Sequence, residues 1–361
     1  MTEMPKLHPG LRPKLPRPAH GVVSFQVHIN ADLHFQRPQA VLAAQDSVRD
    51  MVDDGVLLLP DSYDPAGRPL RLVINCHGAG TTITPSTTSL TNPVSYLVNG
   101  LGLAVMDMNG VPKELSGGTG LHFGSPLALQ SYIKGYRYVL NNYNLDPTGC
   151  FVVGSSMGGL TSFMLAQSGV FPVLAQGGFC PVVDHFKQAW CNPWTRGQRL
   201  QIAKLFGFEG WHRFPGFTPS GYPSQVEIDY YLDNLANVVG CNPIMKYTVN
   251  WSEASPYSFT IANASEIALE RPAYERLIQL HSVPLRIWHN DDDLSVAPRY
   301  SEYIVGAIRR GGGLAYLRRF ASGGHNAWDN GELITTRDYR GQPCTVRASG
   351  YELGLWFQRF C

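Results

Sequence analysis

Short apolar runs rich in β-branched residues recur along this chain, and between them apolar positions return every three or four residues. The runs are Gly55–Pro60, Leu72–Cys76, Leu103–Asp107, Cys150–Val153, Leu174–Cys180, Leu285–His289 and Leu314–Phe320. The spacing predicts helices over Ser125–Tyr143, Gly159–Gln167 and Tyr300–Arg310, with Pro126 and Pro298 suited to a first helical turn. Alternating strands and helices predict an α/β fold in which a mostly parallel central sheet is flanked by helices on both faces.

One stretch breaks this rhythm. Residues 184–267 carry Trp190, Trp194, Trp211 and many further Phe and Tyr residues among Pro and Gly. Such a segment reads as an aromatic-rich cap or lid, because loops inserted at the carboxyl edge of a parallel sheet are where ligands bind. The three tryptophans are its candidate substrate-binding residues. The expected organisation is an extended arm and lead-in over 1–50, core over 51–183, cap over 184–267 and core again over 268–361.

Composition narrows the field of partners. The chain has 361 residues, a formal net charge of +1 and 16% charged residues, which gives no field for binding nucleic acid. Pro alternates with Lys and Arg near the N-terminus, without the apolar stretch of a secretory signal, and no run reaches the roughly 18 apolar residues of a membrane span. The expectation is a soluble protein with no membrane partner, cytoplasmic by default, with secretion open if a leader has been removed. Seven scattered cysteines without a Cys-x-x-Cys pair predict neither a zinc site nor a cofactor. Cys76 and Cys150 read as small buried hydrophobes, and Cys191 with Cys241 is a candidate disulfide pair.

The chemistry begins at Gly154-Ser-Ser-Met-Gly158, where a strand-like run stops and small residues flank Ser156. The spacing G-x-S-x-G suits a sharp strand-to-helix corner that holds one hydroxyl at its tip. A serine is a poor nucleophile until a base takes its proton, so Ser156 needs a histidine and a group to orient that histidine. Among eleven histidines, His325 lies in a Gly-Gly-His loop just after a strand, whereas His289 ends an apolar strand and reads as structural. An acid between serine and histidine in chain order comes from Asp291, Asp292 or Asp293; their side chains alternate, so one or two face the histidine. Asp293 is the first choice and Asp292 the second. An oxyanion formed on attack needs two backbone N–H donors, each worth about 3 to 4 kcal/mol in the transition state. One is Met157, at the start of the helix after the serine. The other lies in His77-Gly-Ala-Gly80, with Ala79 preferred and Gly78 second, while His77 itself reads as a brace for that loop.

Taken in order, H-G-x-G, G-x-S-x-G, D-x-x-V and G-G-H resemble the α/β-hydrolase superfamily from about Val56 to the C-terminus. Leu57-Leu-Leu-Pro-Asp-Ser-Tyr-Asp-Pro followed by Val73-Ile-Asn-Cys-His-Gly-Ala-Gly80 is most similar to the feruloyl and acetyl esterase, polyester depolymerase and prolyl-oligopeptidase-like branches. The resemblance implies Ser156, Asp293 and His325 as nucleophile, acid and base, and an ester of a small molecule or a polymer as substrate. His289-Asn290 departs from the usual His-Gly of the acid loop. Alternatives are a serine peptidase of similar architecture, which an acidic pair in the cap recognising a free amine would favour and of which Glu227 with Asp229 is no more than a hint, and a non-catalytic binding protein on the same scaffold.

Overall fold

The computed structural model describes residues 21–29, 51–79, 95–110, 122, 124, 126–167, 169–183, 283–325 and 331–361. The expected cap, Trp190, Trp194, Trp211, Cys191, Cys241, Glu227 and Asp229 lie outside the described residues, as do residues 1–20.

Among the described residues eight strands form one sheet: β1 Val22–Ile29, β2 Met51–Leu58, β3 Leu70–Cys76, β4 Ala104–Met108, β5 Leu145–Ser155, β6 Val173–Phe179, β7 Leu285–Asn290 and β8 Ala315–Phe320. Their spatial order is β1-β2-β4-β3-β5-β6-β7-β8. Strands β3 to β8 run parallel, and β2 is antiparallel to both β4 and β1. The expectation of a mostly parallel sheet holds. Within the lead-in, Val22–Ile29 is an edge strand of the sheet. It alternates Phe25, Val27 and Ile29 inward with Ser24, Gln26 and His28 outward, and its register pairs it along the whole of β2.

The central strands β3 to β7 are apolar on both sides because both faces are covered. Leu72, Ile74, Met106, Cys150 and Val152 point to one face, under helix α1 (Pro126–Asn142), which adds Tyr132, Tyr136 and Val139. Val73, Val105, Phe151 and Val153 point to the other and meet Leu353, Trp356 and Phe357 of the C-terminal helix. Two further α-helices among the described residues are α2 (Met157–Gln167) and α3 (Pro298–Arg310), the latter packing Ile304, Val305 and Ile308 against Leu285 and Ile287 of β7. An antiparallel hairpin, β9 (Leu333–Arg337) with β10 (Pro343–Arg347), leads into the C-terminal helix α4 (Ala348–Gln358). Among the described residues no helix is long and apolar enough to cross a membrane.

This topology fixes where a site can form. The chain moves from β3 to β4 on one side of β3 and returns to β5 on its other side, so the winding reverses between β3 and β5. At such a reversal the loops leaving the carboxyl ends of neighbouring strands diverge and open a crevice.

Candidate active site

Ser156 stands at that crevice, immediately after β5. Its φ is 51°, one of two non-glycine positive values among the described residues. A left-handed backbone costs an L-residue roughly 1–2 kcal/mol, so it persists only where the surroundings enforce it. They do so through the Ser156 N–H, which donates to Phe179 O of β6 at 2.9 Å, and the Ser156 carbonyl, which accepts from Gly159 N and Val182 N at 2.9 and 2.8 Å. The corner is also too tight for side chains on either flank. A methyl group on Gly154 would lie 2.2 Å from Gly158 O, and one on Gly158 would lie 1.9 Å from Cys76 O of β3.

His325 arrives from the loop after β8. Its Nε2 lies 2.8 Å from Ser156 Oγ and its Nδ1 lies 2.8 Å from Asp293 Oδ2. The carboxylate can only accept, so Nδ1 carries the proton and Nε2 is left to accept from the serine hydroxyl. The structure thus brings Ser156, His325 and Asp293 into one hydrogen-bonded chain, although β5, β7 and β8 carry them separately.

Asp293 is buried and saturated. Its Oδ1 accepts from Ser295 N at 2.8 Å and Val296 N at 2.9 Å, and its Oδ2 also lies 3.3 Å from His289 Nε2. Burial by itself would push the carboxyl up. The bonds from His289 and His325, the charge of His325 and the Val296 amide outweigh it and hold the carboxyl well below the usual carboxylate range.

The three consecutive aspartates take three separate partners. Asp291 Oδ1 pairs with Arg319 Nε at 2.5 Å. Asp292 accepts from Gly323 N and Gly324 N, at 3.2 and 2.8 Å, and so grips the loop that carries His325. Asp293 takes the histidine itself. Asn290, where the resemblance leads one to expect glycine, donates from Nδ2 to Gly324 O at 2.6 Å, a second tie on the same loop.

The loop after β3 runs beside the serine. A methyl group on Gly78 would lie 3.4 Å from Ser156 Cβ. His77 Nδ1 lies 3.0 Å from Gly78 O, a brace on the loop of the kind its position suggests. Met157 begins α2, where a first-turn N–H has no helical carbonyl to reach. The ring of His77 meets that of His122 edge-on at 4.7 Å, and His122 Nδ1 lies 2.6 Å from Thr161 Oγ on α2. Burial, then the neighbouring His77, pushes the His122 imidazole well down. The sequence offers no signal for His122, which lies in no repeat or motif.

For metal binding, one donor set stands out among the described residues. Ligand atoms of Cys180, His289 and Asp293 lie within 4.8 Å of one another, all buried. Both oxygens of Asp293 and both nitrogens of His289 are already engaged by protein groups. Burial, with the Asp293 charge, also pushes the Cys180 thiol well up and keeps it protonated. The set fits a hydrogen-bonded cluster better than a cation.

Strand order, the serine corner after β5 and the helix that follows it are those of the α/β-hydrolase fold. No protein-family model and no curated protein matches the chain. Among solved structures it is similar to an acylaminoacyl peptidase of Pyrococcus horikoshii, at 12% identity and TM-score 0.49 over 87% of this chain and 39% of that one. It is also similar to carboxyl esterase 2 of the mycorrhizal fungus Tuber melanosporum, at 15% identity and TM-score 0.47 over 86% and 80% of the two chains. A fungal esterase from Rhizomucor miehei gives 13% identity and TM-score 0.49 over 94% and 83%. The chain spans about two-fifths of the length of the acylaminoacyl peptidases.

Proposed function

We propose that this chain is a serine carboxylic ester hydrolase working through an acyl-enzyme. The observation that carries the reading is the unbroken contact from Ser156 Oγ through the His325 ring to Asp293 Oδ2, each link 2.8 Å, with the serine on a positive-φ corner. A buried, accept-only carboxylate behind the imidazole leaves Nε2 free to take a proton from the hydroxyl, the arrangement that nucleophilic acyl transfer requires.

In the first half-reaction Ser156 Oγ attacks the ester carbonyl while His325 Nε2 takes its proton. The oxyanion is received by the N–H of Met157 and by that of Ala79 or Gly78. Asp293 steadies the imidazolium, which hands the proton to the leaving alkoxide as the carbon–oxygen bond breaks. Water then attacks the acyl-serine, losing a proton to His325, and release of the acid restores the hydroxyl.

For the substrate we infer an aromatic (feruloyl-like), acetyl or polyester-type ester. Low charge and the aromatic density of residues 184–267 support an apolar or planar acyl group, since aromatic contacts add about 0.5 to 1.5 kcal/mol beyond burial. A panel of p-nitrophenyl esters, methyl hydroxycinnamates and a soluble polyester oligomer, run beside Ser156→Ala, tests this. Turnover abolished by the substitution is expected. No hydrolysis above the Ser156→Ala background on any ester, with cleavage of a dipeptidyl anilide instead, would replace the reading with a peptidase.

A further inference from the structure

His289 is the penultimate residue of β7, its side chain wholly buried, and each ring nitrogen has a defined partner. Nδ1 lies 2.8 Å from Ser301 Oγ on α3, and Nε2 lies 3.0 Å from Val296 O and 3.3 Å from Asp293 Oδ2. A carbonyl oxygen can only accept, so Nε2 carries the proton, and Nδ1 of the neutral ring accepts from the Ser301 hydroxyl. That N–H therefore sits between two acceptors, Val296 O and the carboxylate oxygen that also receives His325 Nδ1–H, as in a three-centre hydrogen bond.

We propose that His289 is a positioning residue for the acid: its Nε2–H shares Asp293 Oδ2 with His325, aiming the carboxylate and limiting how strongly it holds the proton of the catalytic imidazole. The inference rests on the ester-hydrolase reading for the roles of Ser156, His325 and Asp293. Its geometric support is independent. Through Val296 O and Ser301, His289 ties both the acid loop and the helix behind it to the end of β7. Among the described residues, the other groups around the carboxylate are Cys180, which is protonated, and the amides of Ser295 and Val296. Asp292, next in the chain, is engaged by Gly323 and Gly324. Ser301 acts one step further out, as the hydroxyl that fixes the His289 tautomer.

A packing role and a positioning role predict different pH profiles. If the His289 N–H draws charge from Asp293, its removal leaves more for His325, stabilises the imidazolium and moves the acid limb of activity to higher pH. Loss of packing alone lowers the rate at every pH alike.

The test is kcat/KM against pH for an ester that the wild type turns over, with fluorophosphonate labelling of Ser156 measured in parallel. His289→Phe, which keeps a ring and loses the donor, is expected to lower kcat on the order of tenfold to a hundredfold, as for a lost bond to a charged group. Its KM stays within about twofold, and its acid limb rises by about half a pH unit. His289→Gln, whose amide N–H reaches the place of Nε2, restores most of the rate and returns the limb; Ser301→Ala moves the limb part of the way. An unmoved limb in His289→Phe, with Gln no better than Phe, overturns the inference. If His289→Phe shows no cooperative thermal transition, Ser301→Ala decides by the same criterion. A labelled wild type with unmoved limbs sinks only this inference, whereas a wild type unlabelled at Ser156 sinks the ester-hydrolase reading and this inference with it.

Discussion

Asp292 and Gly324 are joined by a hydrogen bond of 2.8 Å from the glycine amide to Oδ1, one residue before His325. A carboxylate next in sequence to the acid thus anchors the loop that delivers the base. Asp292→Ala is expected to lower kcat about tenfold, with little change in KM, because a displaced imidazole loses alignment before it loses substrate. Asp293→Ala should cost about a thousandfold or more, as loss of the orienting acid does. Steady-state kinetics of both variants on one ester check this, and equal losses would contradict the division of roles.

The positive φ of Ser156 makes a stability prediction that runs against activity. Ser156→Gly removes the strain of roughly 1–2 kcal/mol, offset in part by the entropy of glycine. Ser156→Ala keeps the strain. Glycine should therefore unfold about 0.5 to 1 kcal/mol harder than alanine in urea titrations, although both are inactive.

Gly158→Ala should fail to give a stable fold. A methyl group there would be 1.9 Å from Cys76 O, a backbone atom of a central strand that cannot move aside. The expected loss exceeds about 3 kcal/mol, read as a fall in thermal midpoint or in soluble yield.

Two carboxyls, Asp53 buried and Asp107 half-buried, shape the pH dependence of stability. Burial pushes Asp53 up to about 6 against the bonds from Ser131 and Gly110, and pushes Asp107 up to about 6 against the charge of His77 and the bonds from Tyr132 and Asn75. Between the ordinary value of 3.8 and about 6 the folded state binds more protons than the unfolded one, so stability falls as pH rises through this window and levels off above it. Asp293 has the opposite sign: its contribution is present above the ordinary carboxyl range and is lost as pH falls below it. The thermal midpoint set by these groups should peak near about pH 4 and decline by pH 7, and Asp53→Asn should flatten that decline. A midpoint rising from pH 5 to pH 7 would contradict the assignment.

The parts legible in the sequence are those with local geometry behind them. Gly154 and Gly158 mark the corner because no side chain fits there, and the apolar runs mark β3 to β7 because strands buried on both faces carry little polar alternation. Ser156, Asp293 and His325 could be singled out because each follows a strand-like run. The edge strand Val22–Ile29 was less visible, since its pairing with β2 crosses a long stretch of chain. The hairpin β9–β10 has no fully buried face; Leu333–Arg337 is exposed or half-exposed throughout, so periodicity carries no signal there. His289 reads as an ordinary strand-end residue, and only the fold reveals Asp293 against its Nε2. The division of labour among three adjacent aspartates depends on the loop after β8, which no spacing within Asp291–Asp293 encodes.

The most direct measurement is mass spectrometry of the peptide containing Ser156 after exposure to a fluorophosphonate. A hydroxyl polarised by His325 should take the phosphonyl group at Ser156 alone, and His325→Ala should slow that labelling by about a thousandfold or more. Labelling spread over other serines, or a Ser156 that reacts no faster with His325 than without it, would contradict the account.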